Sequence, residues 1–252
     1  MPAGPAYGKV YDAKGNAVIP GLIDIHVHGA RGFDFNEIEQ KNIPAVRDYL
    51  ASCGVTTFLP TLRLDSEENY IRSVMAISKA RSTMGCSQIY GIHLEGPFVS
   101  EKYCKEEDRY LIQKGNYPLF KRLQDASGGI IKLLCVAPEM DGVPAFIERV
   151  VMDGIRVSLG HTAADYNCAA DAFACGAVSA THLFSKMPEL GALSANVTTA
   201  ILESDCFCEV VFDEACMDPA VARLVYKTKG NKRIIAITNG NATACLLYTS
   251  YW

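Results

Sequence analysis

No apolar run in this 252-residue chain approaches the ~20 residues needed to span a bilayer. Basic charge is not in excess either. Lys and Arg number 24 against 28 Asp and Glu, a net charge of −4, which argues against nucleic acid or an anionic membrane surface as the main partner. The start, Met-Pro-Ala-Gly-Pro-Ala-Tyr, lacks a basic stretch followed by an apolar core, so no signal peptide is expected. Cys206-Phe207-Cys208 has no second pair to complete a metal site and reads as strand. Among the ten cysteines, Cys53, Cys135, Cys168 and Cys175 sit in apolar or helical contexts, which predicts reduced, buried thiols and a cytosolic (cytoplasmic) compartment.

What is present is ordinary for a soluble globular protein: 49% hydrophobic and 21% charged residues, enough for one large α/β domain or two small ones. The chain centres on Ile-Pro-Gly-Leu-Ile-Asp-Ile-His-Val-His-Gly at 19–29. Its β-branched apolar run reads as a buried strand that turns away at Gly29. A weaker strand at 9–11 and a turn at 12–16 precede it. Further strands are predicted at 55–61, 88–98, 130–138, 156–161, 177–184, 207–212 and 233–238. Helical patterns cover 42–53, 66–84, 117–125, 143–153, 164–175 and 219–230. Eight strands alternating with helices predict a (β/α)8 TIM-type barrel. A doubly wound open sheet is the alternative, but the first strand is not followed by a Gly-rich phosphate turn.

The chemistry collects at strand ends. His26 and His28 stand two apart and so share a face. By itself this pair reads as ordinary histidines on a half-exposed strand. Glu95 ends the third strand in Gly-Ile-His-Leu-Glu-Gly-Pro-Phe, His161 the fifth in Gly-His-Thr, and His182 lies on the sixth in Thr-His-Leu-Phe. In a barrel such ends converge on one face. Four imidazoles and a carboxylate suffice for one or two divalent ions, with Glu95 able to bridge them. Zinc, iron, manganese and cobalt all suit these donors. His93 reads as a supporting or core histidine rather than a ligand.

Those four motifs, in this order, closely resemble the N-acetylglucosamine-6-phosphate deacetylase family of the amidohydrolase superfamily, from about Val18 to Asn239. The resemblance implies a metal-dependent hydrolase on a (β/α)8 barrel, flanked by a small β-sandwich built from both termini. It carries metal ligation onto His26, His28, Glu95, His161 and His182. It implies removal of the acetyl group of an amino-sugar phosphate by metal-activated hydroxide, and a homodimer. On this reading residues 1–18 are a remnant of the sandwich, 19–240 the barrel, and 241–252 an irregular or foreign tail on a truncated chain. Without a closing helix, the first and eighth strands would be poorly covered and the chain aggregation-prone.

The departures lie outside the ligand set. Asn239 stands where the family has the aspartate that moves the proton, which an amide cannot do. Ser185-Lys186 occupies the family's substrate-holding Asn-Ala position, and Cys216 that of a sugar-contacting histidine. The Arg-Glu-Pro-Gly phosphate segment has no clear counterpart in 188–196, and Cys104-Lys105-Glu106 stands for Gly-Ala-His. Three readings follow: a deacetylase of an N-acetylated amino-sugar phosphate, a related amidohydrolase with another amide substrate, and a metal-binding protein with little catalysis.

Overall fold

A computed structural model describes residues 11–83 and 85–244. Eight parallel strands lie side by side in chain order: β1 (Leu22–Val27), β2 (Val55–Arg63), β3 (Ile92–Glu95), β4 (Ile131–Val136), β5 (Arg156–Leu159), β6 (Ser179–Ala180), β7 (Phe207–Val210) and β8 (Ile234–Ala236). The sheet then closes on itself. Asn239 donates its backbone N–H to His26 at 3.0 Å, His28 donates to Gly240 at 2.6 Å, and a parallel bridge joins Val27 to Gly240. Between successive strands run α1 (Ile43–Ser52), α2 (Glu67–Arg81), α3 (Tyr117–Ala126), α4 (Val143–Met152), α5 (Tyr166–Ala174), α6 (Val197–Glu203) and α7 (Pro219–Lys229). This is the expected (β/α)8 barrel.

Local chemistry explains the elements. α2 begins at Ser66, whose hydroxyl accepts the Asn69 N–H at 3.2 Å. Glu67 and Glu68 in its first turn and Lys79 and Arg81 in its last complement the helix dipole. Tyr70, Val74 and Ile77, at helical spacing, are its buried face. β4 is almost continuously buried, as expected of a parallel strand covered on both sides. The N-terminal mouth of the barrel is a cavity of about 490 Å³ lined by apolar side chains such as Ile23, Ile25, Leu59, Leu133, Val178 and Phe207. Lys132 and Arg156 also line it, but the histidine and carboxylate cluster lies at the other mouth.

Several boundaries differ from expectation. The helix expected over 66–84 ends at Arg81, and Met84 lies outside the described residues. The strand expected over 88–98 breaks at Tyr90–Gly91 into Gln88–Ile89 and β3. α6 was not expected: it is short and opens Val-Thr-Thr, so propensity and periodicity are both weak, and the Asn196 side chain holds its first turn through Thr198 and Thr199. Of Cys53, Cys135, Cys168 and Cys175 only Cys135 is buried. Cys53 is exposed and the other two half-buried, because they sit in the end turns of helices, and all nine described cysteines are free. Of the strand expected at 9–11 only Tyr11 is described, without regular structure.

Leu22 and Ile23 at the start of β1 are exposed. The carbonyls of Ala242 and Ala244 accept from Gly32 and Arg31, docking 241–244 on the hairpin of Gly29–Ala30 and Phe33–Asp34; residues 245–252 lie outside the described residues. Among the described residues no helix is long and apolar enough to cross a membrane.

Candidate metal centre

The C-terminal mouth gathers the five residues singled out from sequence. β1 carries His26, and His28 follows one residue past the strand's end, with their Nε2 atoms 3.1 Å apart. Glu95 is the last residue of β3. His161 and His182 each lie two residues past the end of their strand, β5 and β6, at φ 48° and 30°. Non-glycine residues seldom adopt this region. Phe184, Lys186 and Asn239 adopt it as well, so strained backbone clusters at this mouth. Two glycines make room. A Cβ on Gly160 would lie 2.7 Å from Thr181 Cβ and 2.8 Å from Cys135 Sγ, and one on Gly29 would lie 2.0 Å from the Phe33 carbonyl oxygen.

Glu95 is the hub. Its Oε1 lies 3.2 Å from His26 Nε2, 3.1 Å from His161 Nε2 and 2.8 Å from His182 Nε2, and its Oε2 lies 3.3 Å from His28 Nε2. The Nε2 atoms of His161 and His182 are also 3.1 Å apart. Ligand atoms at zinc distance from a tetrahedral ion stand about 3.3 Å from one another. The donor set therefore fits a divalent ion in spacing and in kind. Three groups of donors lie close enough to hold an ion: His26–His28–Glu95 and Glu95–His161–His182 share the Glu95 carboxylate, and His26–His93–Glu209 is a buried third that shares His26 with the first.

The imidazoles are held by their other nitrogens. A carbonyl can only accept, so His28 Nδ1–H donates to Thr61 O at 3.1 Å and His182 Nδ1–H to Ser185 O at 3.1 Å. Both tautomers leave Nε2 with a free lone pair facing Glu95. His26 Nδ1 instead meets a carboxylate, Glu209 Oε2, at 2.8 Å. His93 is fully buried and packs edge-on against His26, ring centroids 4.8 Å apart, with Nε2 lacking a hydrogen-bond partner among the described residues.

Burial opposes charge on His26, yet Glu95 and Glu209 outweigh it and lift its pKa to about 10. Burial pushes His28 down to about 3 and His93 well below the ordinary imidazole value. Burial also penalises the Glu95 carboxylate, but the charge of His26 and hydrogen bonds from His161 and His182 outweigh it, so its pKa stays well below the usual range. A carboxylate kept charged in so dry a place favours a cation beside it.

Two clefts flank the cluster and divide the other expected site residues. Lys186 lines one of about 260 Å³ with Arg63, Tyr103, Lys105, Glu95 and His161. Ser185, Cys216 and Asn239 line the other, of about 350 Å³, with His182. Lys186 therefore does not share a wall with Ser185, because the positive-φ turn sends the two side chains apart.

Sequence reading passed over three buried or anchoring carboxylates. Asp24 accepts the His26 N–H at 3.1 Å and the Thr238 hydroxyl at 2.6 Å. Glu139 accepts the Thr162 hydroxyl at 2.5 Å and the Ala163 N–H at 2.6 Å, holding the chain just after His161. Glu209 holds His26. A lone charge inside the apolar run Phe-Cys-Glu-Val-Val-Phe was the available signal for Glu209.

No family model matches the chain. It is 32% identical over 240 residues to N-acetylglucosamine-6-phosphate deacetylase of Bacillus subtilis (strain 168), covering 92% of this chain and 60% of that protein. It is 31% identical to the Haemophilus influenzae protein of the same name, covering 94% and 61%. The chain thus spans about 60% of the length of these curated relatives. Among solved structures, N-acetyl-D-glucosamine-6-phosphate deacetylase of Mycobacterium smegmatis superposes with a TM-score of 0.84 at 29% identity, covering 89% of this chain and 59% of that one. A variant of that protein was solved in complex with N-acetyl-D-glucosamine-6-phosphate.

Proposed function

The chain belongs to the N-acetylglucosamine-6-phosphate deacetylase family, and from that premise we propose that it hydrolyses the acetamide of an N-acetylated amino-sugar phosphate, releasing acetate. The observation that carries this reading is the Glu95 carboxylate with four imidazole Nε2 atoms within 3.3 Å of it, two of them fixed in the ligating tautomer. His26, His28 and Glu95 would hold one divalent ion, and Glu95, His161 and His182 a second. When bound, such ions supply a water acidified toward a pKa of ~7 and an electrophile for the amide carbonyl.

The protein's own residues set the rest. Lys105 and Lys186 line the cleft beside Glu95 and His161, together with Asp108 and with Arg63, which is paired to Asp34; the two lysines suit a phosphate-bearing sugar and favour this substrate over an uncharged amide. Ser185 and Cys216, in the second cleft, can hydrogen-bond sugar hydroxyls. Asn239 lines that cleft beside His182 and is anchored through its backbone to His26. Its amide can orient the scissile group but cannot carry a proton. Proton delivery to the leaving amine then falls to solvent, and turnover is slow. The acting unit on this reading is a cytoplasmic homodimer built on the barrel of residues 19–240.

A second reading, a related amidohydrolase acting on a different amide, draws on Cys216 and Ser185 in place of the family's residues. Metal analysis of purified protein, with acetate release from N-acetylglucosamine 6-phosphate and from N-acetylglucosamine, separates the two. Bound metal with release from the phosphate ester much faster than from the unphosphorylated sugar is expected. Bound metal without release from either moves the search to other amides, and absence of metal removes the hydrolase reading.

A further inference from the structure

The three imidazoles of the centre with a described Nδ1 partner are not anchored alike. Those of His28 and His182 lean on neutral carbonyls, Thr61 O and Ser185 O. That of His26 leans on a full carboxylate, Glu209 Oε2, at 2.8 Å. Glu209 is on β7, completely buried, and its Oε1 has no hydrogen-bond partner among the described residues. Its Oε2 also takes the His182 backbone N–H at the longer distance of 3.4 Å. A buried carboxylate with an unsatisfied oxygen is expensive to maintain. A Gln in the same place could still accept the His26 proton, so the negative charge needs its own explanation.

From this asymmetry we infer that Glu209 is a positioning residue that strengthens one of the two ion sites selectively, the one formed by His26, His28 and Glu95. The inference rests on the metal reading above. The carboxylate fixes the His26 tautomer with Nε2 toward Glu95 and makes that nitrogen a better electron-pair donor. His93, edge-on to His26, blocks rotation of the ring away from this orientation. Among the described residues the Glu95–His161–His182 triad receives no such carboxylate; its contact with Glu209 is the weak backbone one. Glu209 therefore sets whether one ion or two are held at a given metal concentration.

The test is a zinc titration of the whole chain against a chromophoric chelator, for wild type, Glu209→Gln, His26→Ala and the double variant. Wild type should take two equivalents in two affinity classes. Glu209→Gln should weaken one class by about 10- to 100-fold and leave the other within about threefold, and in the His26→Ala background it should change nothing further. Equal weakening of both classes, or of neither, overturns the inference while leaving the metal reading intact. Failure of wild type to bind zinc overturns both. Should Glu209→Gln not fold, the same claim is read from wild-type protein by proton NMR. A downfield, exchange-protected imidazole N–H that is lost in His26→Ala is expected, and its absence overturns the anchoring.

Discussion

The Thr238 hydroxyl donates to Asp24 Oδ2 at 2.6 Å and so ties the two ends of the barrel together across 214 positions of chain. The other oxygen of Asp24 accepts the His26 N–H at 3.1 Å. The seam that closes the sheet thus also sets the strand that presents His26. Thr238→Val removes the donor and leaves a buried carboxylate short of a partner. Urea denaturation should show a loss of about 1–3 kcal/mol. An unchanged midpoint would mean that the seam holds by its backbone bonds alone.

Burial raises the Asp24 carboxyl above its ordinary 3.8, despite hydrogen bonds from Thr238 and His26. The folded chain then binds more protons than the unfolded one just above that value. This group's contribution is therefore fully present below about pH 4 and is lost as pH rises through the folded pKa. The stability of wild type minus that of Asp24→Asn should fall with rising pH over that window, as followed by thermal melts. A flat difference would refute the shift.

Glu95 touches every ligand nitrogen of both triads, so its loss should not spare either. Glu95→Ala is expected to reduce bound zinc below one equivalent per chain and to abolish acetate release. His161→Ala, which touches one triad, should retain about one equivalent. Equal metal content in the two variants would show that Glu95 does not bridge.

Asn239→Asp restores a group able to take and give a proton beside His182. General acid–base assistance contributes about 10²–10⁴ in rate. The expected outcome is a rise in kcat of at least about 100-fold with KM little changed, and a new acidic limb in the pH–rate profile. No change in kcat would place proton transfer elsewhere.

Lys186 points into the cleft that also contains Arg63 and Lys105. Lys186→Met should raise KM for the phosphorylated sugar by about tenfold, the loss of one charge-assisted hydrogen bond. The slow reaction of the unphosphorylated sugar should be unaffected. Equal effects on both substrates would argue that Lys186 shapes the loop rather than binding the phosphate.

Much of the architecture was legible in the amino-acid sequence. Strands of a parallel barrel leave short apolar-rich runs, as in 131–136, and the helices between them carry a helical period, as in 66–84. The barrel followed from that alternation. His26, His28, Glu95, His161 and His182 were legible because each lies at or just past a strand end, where a parallel barrel brings separate stretches of chain to one mouth. Helix α6 was not, since seven residues opening with a β-branched run carry no clear helical period.

Only the tertiary structure decided how those residues face one another. Glu209 and His26 are 183 positions apart, and nothing local to either announces the bond between them. Thr238 and Asp24 are farther apart still, and their meeting exists only once the eighth strand has returned to the first. The parting of Ser185 and Lys186 into different clefts likewise depends on a backbone turn that side-chain identity does not encode. Residue type and spacing determine which groups reach the mouth of the barrel. Closure of the sheet determines which nitrogen each imidazole offers and which carboxylate stands behind it.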